Sequence, residues 1–328
     1  MPSHTPVAGP VPPLCRRPPR RRAAVTLTGA LAALSLAGCG LRLETPPPVA
    51  PSPDAAEELR QDAAAEAAAI AGTVSEVTAE GATAELLTRI GAEADAHLEA
   101  LGGVWVAWPD GTPEGAVAPE PAPTAAVPDP DAADVLELLT TGAADAREGA
   151  VVAPTDELAA VLAAVSLSRA HGAAEVAAAT GTTAPEPTAA PLSREALLVR
   201  GVDGPTLRVL DQARFAYETV AARSEGAARE AAAARAAHLQ SLVDLAVEEG
   251  APDERLGVYD LPGADEEAGL TAEQAAVVDA ESRLLEHWVF SLGLVSPDGR
   301  GALLDAAADS ARRLVDAGGT LPALPGLD

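Results

Sequence analysis

Lysine is absent from this 328-residue chain; all 22 basic residues are arginine, set against 49 Asp and Glu, for a formal charge of −27. A nucleic-acid binder needs a basic footprint, and this balance excludes one. Aromatics are only 2% of the residues (three Trp, two Tyr, two Phe), so any core is aliphatic and built from Ala, Leu and Val. Cysteine occurs twice, at Cys15 and Cys39, which leaves no disulfide framework. No Gly-x-Ser-x-Gly elbow, phosphate loop, Gly-x-Gly-x-x-Gly fingerprint or His-Glu-x-x-His pair is present. The abundant carboxylates show no pair set in visibly different environments, as acid/base catalysis requires. The chain therefore reads as non-catalytic and without a cofactor.

What is present begins with hydrophobic residues at 48%, too many for a disordered chain. Arg16, Arg17, Arg20, Arg21 and Arg22 precede an uncharged, mostly apolar stretch from Ala23 to Gly38. At 16 residues that stretch is shorter than the roughly 20 a membrane span requires, and it fits a signal peptide over 1–38. Its end, Leu36-Ala37-Gly38-Cys39, resembles the lipobox of bacterial lipoproteins. The resemblance implies cleavage before Cys39, a diacylglycerol on its thiol and an acyl chain such as palmitate on the new amino terminus. It places the protein on the extracytoplasmic face of the cell membrane, held by lipid. An ordinary secretory leader with a chance Cys39 is the alternative, and Arg16-Arg17 or Arg20 to Arg22 leave twin-arginine export open. Loss of the leader removes five Arg and no acid, leaving 17 Arg against 49 acidic residues, a net of −32. Such a surface favours a basic envelope protein or peptide, or divalent cations, as partners, although solubility alone also accounts for it.

A Pro-rich tether occupies 39–53, and further Pro-rich stretches run from Asp110 to Pro130 and from Thr180 to Pro191. Between them, Ala-rich segments with three- and four-residue spacing of Leu and Val predict helices. Eight are expected, at about 54–77, 82–101, 131–148, 155–180, 205–223, 225–249, 271–294 and 297–317. Thr271 to Gln274 reads as a capping box, and Pro297 as the first helical residue after a Ser296 cap. The fold class is all-α, with an N-terminal helical bundle over 54–180, a linker over 181–204 and a second bundle over 205–328. The halves also resemble each other. Ala96-His97-Leu98-Glu99-Ala100-Leu101 returns as Ala237-His238-Leu239-Gln240-Ser241-Leu242, and Glu80-Gly81-Ala82 as Glu225-Gly226-Ala227. A tandem pair of antiparallel four-helix bundles would explain both matches.

Phe215-Ala216-Tyr217-Glu218-Thr219-Val220-Ala221-Ala222-Arg223, the Ser224-Glu225-Gly226 turn, the following Ala/Arg-rich helix and the loop Val258-Tyr259-Asp260-Leu261-Pro262 carry a second resemblance. Residues 205–317 are similar to a ferritin-like domain family of unassigned function in secreted and lipid-anchored proteins of high-GC Gram-positive bacteria. The resemblance implies a four-helix bundle and no known reaction. Ferritin-like bundles can hold two metal ions on Glu and Glu-x-x-His ligands, but Arg235 stands three residues before His238 where that motif has Glu. His287 directly follows Glu286, so the two point about 100° apart. The sharpest metal candidates lie in the first half, where Glu93 and His97, and His171 and Glu175, are four apart and can share helix faces. Ala94 and Ser168 take the positions where the motif has Glu, so the expected metal set is none, with those four as weak candidates.

Phe215, Tyr217, Trp288 and Phe290 are expected to fill the core. Trp105 and Trp108 either seal one end of the first bundle or offer a partner an apolar contact. The expected function is a lipid-anchored cell-envelope protein with a non-catalytic binding or scaffolding role. The alternatives are a divergent ferritin-like metal-binding protein or oxidase using His97 and His171, and a binder of an apolar ligand between Ala-packed helices.

Overall fold

The protein, a computed structural model, is described for residues 48–116 and 129–327. The leader 1–38, Cys39 and most of the Pro-rich tether lie outside the described residues. Those described are helical, with no strand among them beyond an isolated bridge between Asp265 and Leu270. None of their helices is long and apolar enough to cross a membrane.

Four helices make the first half: α1 (Ala55–Glu76), α2 (Gly81–Ala100), α3 (Ala132–Val152) and α4 (Asp156–Thr180). A short α5 (Arg194–Arg200) follows, then α6 (Gly204–Arg223), α7 (Gly226–Glu248), α8 (Ala272–Ser291) and α9 (Pro297–Asp316). The eight expected helices are all present, displaced by a few residues at their ends. The segment expected to be helical to 294 leaves the α-helix at Ser291 and ends in a single 3-10 turn, Leu292–Leu294.

Local chemistry sets most of these boundaries. Asp54, Thr155, Ser193 and Asp203 each accept a backbone N–H of the first turn they precede. Asp131 with Asp134, and Thr271 with Gln274, form reciprocal capping boxes. Pro297 does occupy the start of α9, but the Ser296 side chain makes no capping bond. The second helix of each half opens in one conformation. Glu80 and Glu225 are extended (φ −128° and −130°), and Gly81 and Gly226 follow at φ +59° and +57°. A Cβ disfavours that left-handed region, so backbone geometry favours glycine at both positions.

Helix α5 falls inside the expected linker. Seven residues between Pro191 and Gly201 give no usable periodicity, and burial of Leu197 and Arg200 is what holds it. Arg200 Nε donates to Ser291 Oγ (3.1 Å) and its Nη1 to Asp203 Oδ2 (3.0 Å), fastening α5 to the second half.

Within the first half α1 packs on α2 and α3, and α4 on α3 and α2; in the second, α6 packs on α7 and α8, and α8 on α9. Short connections join first to second and third to fourth helices, while about 30 and 20 residues separate second from third, as the element ranges give. One apolar core runs through both halves, including Leu162 and Leu167 of α4 with Leu207, Leu284 and Leu304. A smaller cluster around Ile70, Leu87, Ile90 and Leu139 lies within the first half alone. Arg147 on α3 bonds Asp305 on α9 (2.6 Å), and Arg300 on α9 donates to the Ala153 carbonyl at the end of α3 (2.6 Å).

The segments after the two fourth helices are exchanged. Beyond α9, the Ala323 carbonyl meets His97 Nε2 on α2 at 2.7 Å. Beyond α4, the Leu192 backbone lies near His238 on α7 and opposes the burial that lowers that ring's pKa, while His238 Nε2 is buried without a partner. His97 and His238 are the matching residues of the internal repeat, so the segment after each fourth helix comes near the second helix of the other half.

Among the aromatics, Tyr217 and Trp288 are buried. Phe215 is half-buried against Tyr259, ring centroids 5.7 Å apart. Phe290, expected in the core, is 68% exposed. It lies two residues beyond Trp288, about 200° around α8, and so on the opposite face. Trp105 and Trp108 are half-buried in a loop that α1 holds. The Trp105 N–H donates to Gln61 Oε1, and Arg60 donates to the carbonyls of Leu101 and Gly103.

Candidate functional site

Helices α2 and α4 bring three of the four sequence-derived candidates together, but around a cation of the protein's own. Arg89 on α2 bonds Glu93 Oε1 and Glu175 Oε2, both at 2.5 Å, and His171 Nε2 lies 3.2 Å from the same Glu175 oxygen. Burial pushes the Glu93 carboxyl above its ordinary range despite Arg89. Burial also lowers the His171 imidazole, with Glu175 opposing and Arg89 adding to the fall. A guanidinium between carboxylates occupies the place an ion would need and repels a second cation.

His97 does not join this group. It is 2% exposed and bonds the Ala323 carbonyl, and burial lowers its pKa to about 4. Its Nδ1 is buried without a partner, as is Nε of Arg169. Both residues line a cavity of about 10 Å³ with Glu93 and Ser168, near the smallest space that holds one water. Arg169 itself, 1% exposed on α4, donates to Glu66 Oε2 and to the carbonyls of Ala63 on α1 (2.9 Å) and Gly142 on α3 (3.0 Å). A Cβ on Gly142 would meet Arg169 Nη1 at 2.8 Å, so glycine is what lets α3 approach this pair.

The second half carries the most buried polar cluster, with one residue from each of its four helices. Arg235 on α7 donates Nε to Glu281 Oε1 (3.0 Å), Nη2 to Glu281 Oε2 (2.9 Å) and Nη1 to Asp309 Oδ2 (3.1 Å). Tyr217 on α6 donates its hydroxyl to Glu281 Oε1 (2.6 Å). Arg313 and Arg312 also bond Asp309, at 2.9 and 2.8 Å. Burial acts to raise the Asp309 pKa, but Arg313 and Arg235 outweigh it and hold the carboxyl below its usual range. Burial and the neighbouring Glu281 raise the Tyr217 phenol, which stays protonated. His287, on α8, bonds Thr206 Oγ1 at 3.1 Å, and burial with Arg200 nearby lowers its pKa to about 4.

Of this cluster the sequence marked only Arg235 as charged and out of place. The signal for Glu281 was also available, since it lies between Ala280 and Leu284 on a face that is otherwise apolar. Charged residues at such positions are almost never buried unless paired.

Among the described residues, no three His, Cys, Asp or Glu side chains are placed to hold a metal ion. The donor set of the ferritin-like di-metal site does not fit either centre, because in each one the carboxylates already bind a fixed guanidinium. No family model, curated protein or solved structure matches this chain.

Proposed function

We propose that this chain is a lipid-anchored protein of the cell envelope, attached through Cys39, which binds or scaffolds a basic protein or peptide without catalysis. Its two halves are ferritin-like four-helix bundles in tandem. The carrying observation is that each bundle centre is closed by arginine on carboxylates: Arg169 with Glu66 in the first, Arg235 with Glu281 and Asp309 in the second. Groups paired in this way are committed to one another, which argues against those carboxylates acting as base, nucleophile or metal ligand. Two further features support tandem bundles. The second helices begin alike at Gly81 and Gly226, and the segments after the fourth helices come near His97, through a hydrogen bond to the Ala323 carbonyl, and near His238.

Function then falls to the anchor and the acidic outer surface. Labelling of intact cells with a palmitate analogue, followed by mass spectrometry of the amino terminus, tests the anchor. The expected result is a diacylglyceryl group on Cys39; an unmodified terminus overturns it. Crosslinking on intact membranes is expected to recover a basic envelope partner. The metalloprotein alternative requires stoichiometric metal that is lost in His97→Ala and His171→Ala, and purification under anaerobic conditions with elemental analysis decides between the two.

A further inference from the structure

We propose that the groove between α1 and α3 is the docking site for a basic amphipathic peptide segment of another protein; this rests on the binding role proposed above and assigns it a place. The groove encloses about 550 Å³. Its apolar floor and walls are Ala63 and Ala65 on α1, Ala146 and Gly149 on α3, and Leu162 rising from α4. Arg169 ties the two walls together from beneath, through the Ala63 and Gly142 carbonyls, and Ala63, Ala146, Gly149 and Leu162 form a buried floor. At the mouth, Val152 is 59% exposed and Leu59 half-buried, so an apolar face is open to an incoming chain.

Charge selects the occupant. Asp62 and Glu66 line one side, Asp145 and Glu148 the other, and no basic residue lines the groove. Asp62, Asp145 and Glu148 are exposed and make no ion pair among the described residues, in contrast to Asp305 and Glu57, which hold Arg147 and Arg60. Glu66 is held by Arg169, yet burial and the adjoining Asp145 still raise its carboxyl above the ordinary range. An apolar trough with carboxylates on both rims matches a helix with Leu or Ala along one face and Arg or Lys flanking it. A second copy of this chain would bring its own negative charge to the rims. The stretch 117–128 contains no basic residue, and 40–53 contains only Arg42.

The test uses the chain without its leader and a fluorescein-labelled helical peptide of about 18 residues, five turns, with one Leu/Ala face flanked by Arg. Fluorescence anisotropy reads binding. Asp62→Asn, Asp145→Asn and Glu148→Gln together are expected to weaken binding by roughly tenfold or more, and added salt to weaken the wild type in the same direction. Neutralising three exposed carboxylates elsewhere, Glu225, Glu266 and Glu267, removes as much charge and is expected to change affinity less than twofold. A scrambled peptide of the same composition is expected to bind at least tenfold more weakly. Ala65→Trp fills the trough and is expected to block docking while helicity is retained. Equal loss from both carboxylate sets, equal binding of the scrambled peptide, or no binding to the wild type overturns the groove assignment. None of these outcomes alters the lipid-labelling result, which stands or falls separately.

Discussion

The two helical halves solve one packing problem with different materials. In the second half, Tyr217 and Trp288 are buried, and the central carboxylates are saturated: Glu281 accepts from Arg235 and Tyr217, Asp309 from three arginines. The first half has no aromatic residue on any of its helices, and its core is built from Ala, Leu, Ile and Val. There Arg169 does work done elsewhere by bulk, bonding two carbonyls and Glu66, and it leaves its own Nε and His97 Nδ1 unpartnered beside a small cavity. Small side chains bring helices close but leave gaps wherever two of them face each other. The first half thus leaves a small cavity beside Arg169 and a groove between α1 and α3, while the second half, which also leaves His238 Nε2 and Ser310 Oγ unpartnered, saturates its central carboxylates.

That contrast is most sharply tested at the two buried charges. Glu281→Ala leaves buried Arg235 with Asp309 as its one remaining partner and the Tyr217 hydroxyl with none, and is expected to destabilise the protein by about 3 kcal/mol in urea unfolding. Arg169→Met leaves Glu66, whose side chain is 27% exposed and can be hydrated, so the expected loss is smaller, about 1–2 kcal/mol. Equal losses would break the distinction between a saturated and a partly satisfied centre.

Acid is the next probe, because each half buries one imidazole deeply, His97 and His287, and burial also lowers His171 and His238. The folded-state pKa values of His97 and His287 are both lowered to about 4 from 6.5. The unfolded chain thus binds more protons between those values, and stability falls as pH drops from 6.5 toward 4. The contribution of each ring is complete above pH 6.5 and lost below about 4. Glu66 and Glu93, whose pKa values are raised, act in the opposite direction at the acid end. Comparing wild type with His97→Gln and His287→Gln isolates each ring: each substitution is expected to flatten part of the unfolding free energy against pH curve.

Smaller effects concern the helix starts. Thr271→Ala removes a capping box and is expected to cost about 1 kcal/mol, whereas Ser296→Ala removes no capping bond and should change stability by under about 0.5 kcal/mol. Gly81→Ala and Gly226→Ala meet no neighbouring atom within 4 Å, so each tests backbone strain alone. Losses of about 1 kcal/mol, equal in the two halves, are expected from thermal or urea unfolding. Unequal losses would argue against equivalent starts for α2 and α7.

Much of this architecture was legible along the chain. The Ala-rich spacing located eight helices, and Thr271 and Gln274 marked the start of α8. The repeated Glu-Gly-Ala strings pointed to positions that do share backbone geometry, whereas His97 and His238 of the Ala-His-Leu strings differ in burial and partner. The candidate site was legible only in part. Spacing of four put Glu93 with His97 and His171 with Glu175, but helix periodicity says nothing about what stands opposite a face. Arg89 reaches across from α2 to Glu175, and Ala323 reaches His97 from 226 residues away. The Arg89–Glu93 pair is visible as a spacing of four, but neither the Glu175 contact nor the Ala323 contact has a signature near the residue it binds.

Composition and local pattern by themselves determined that this protein is helical, where its helices start, and that its centre is built with few aromatics. Those properties follow from interactions within a few residues, which an Ala-rich sequence states directly. Tertiary structure alone decided which charges are buried, that the two tails exchange between halves, that α5 is a helix, and that α1 and α3 leave a trough between them. Each of these depends on burial and on hydrogen-bond partners distant in the chain, and the free energy of a buried charge is set by what surrounds it in space.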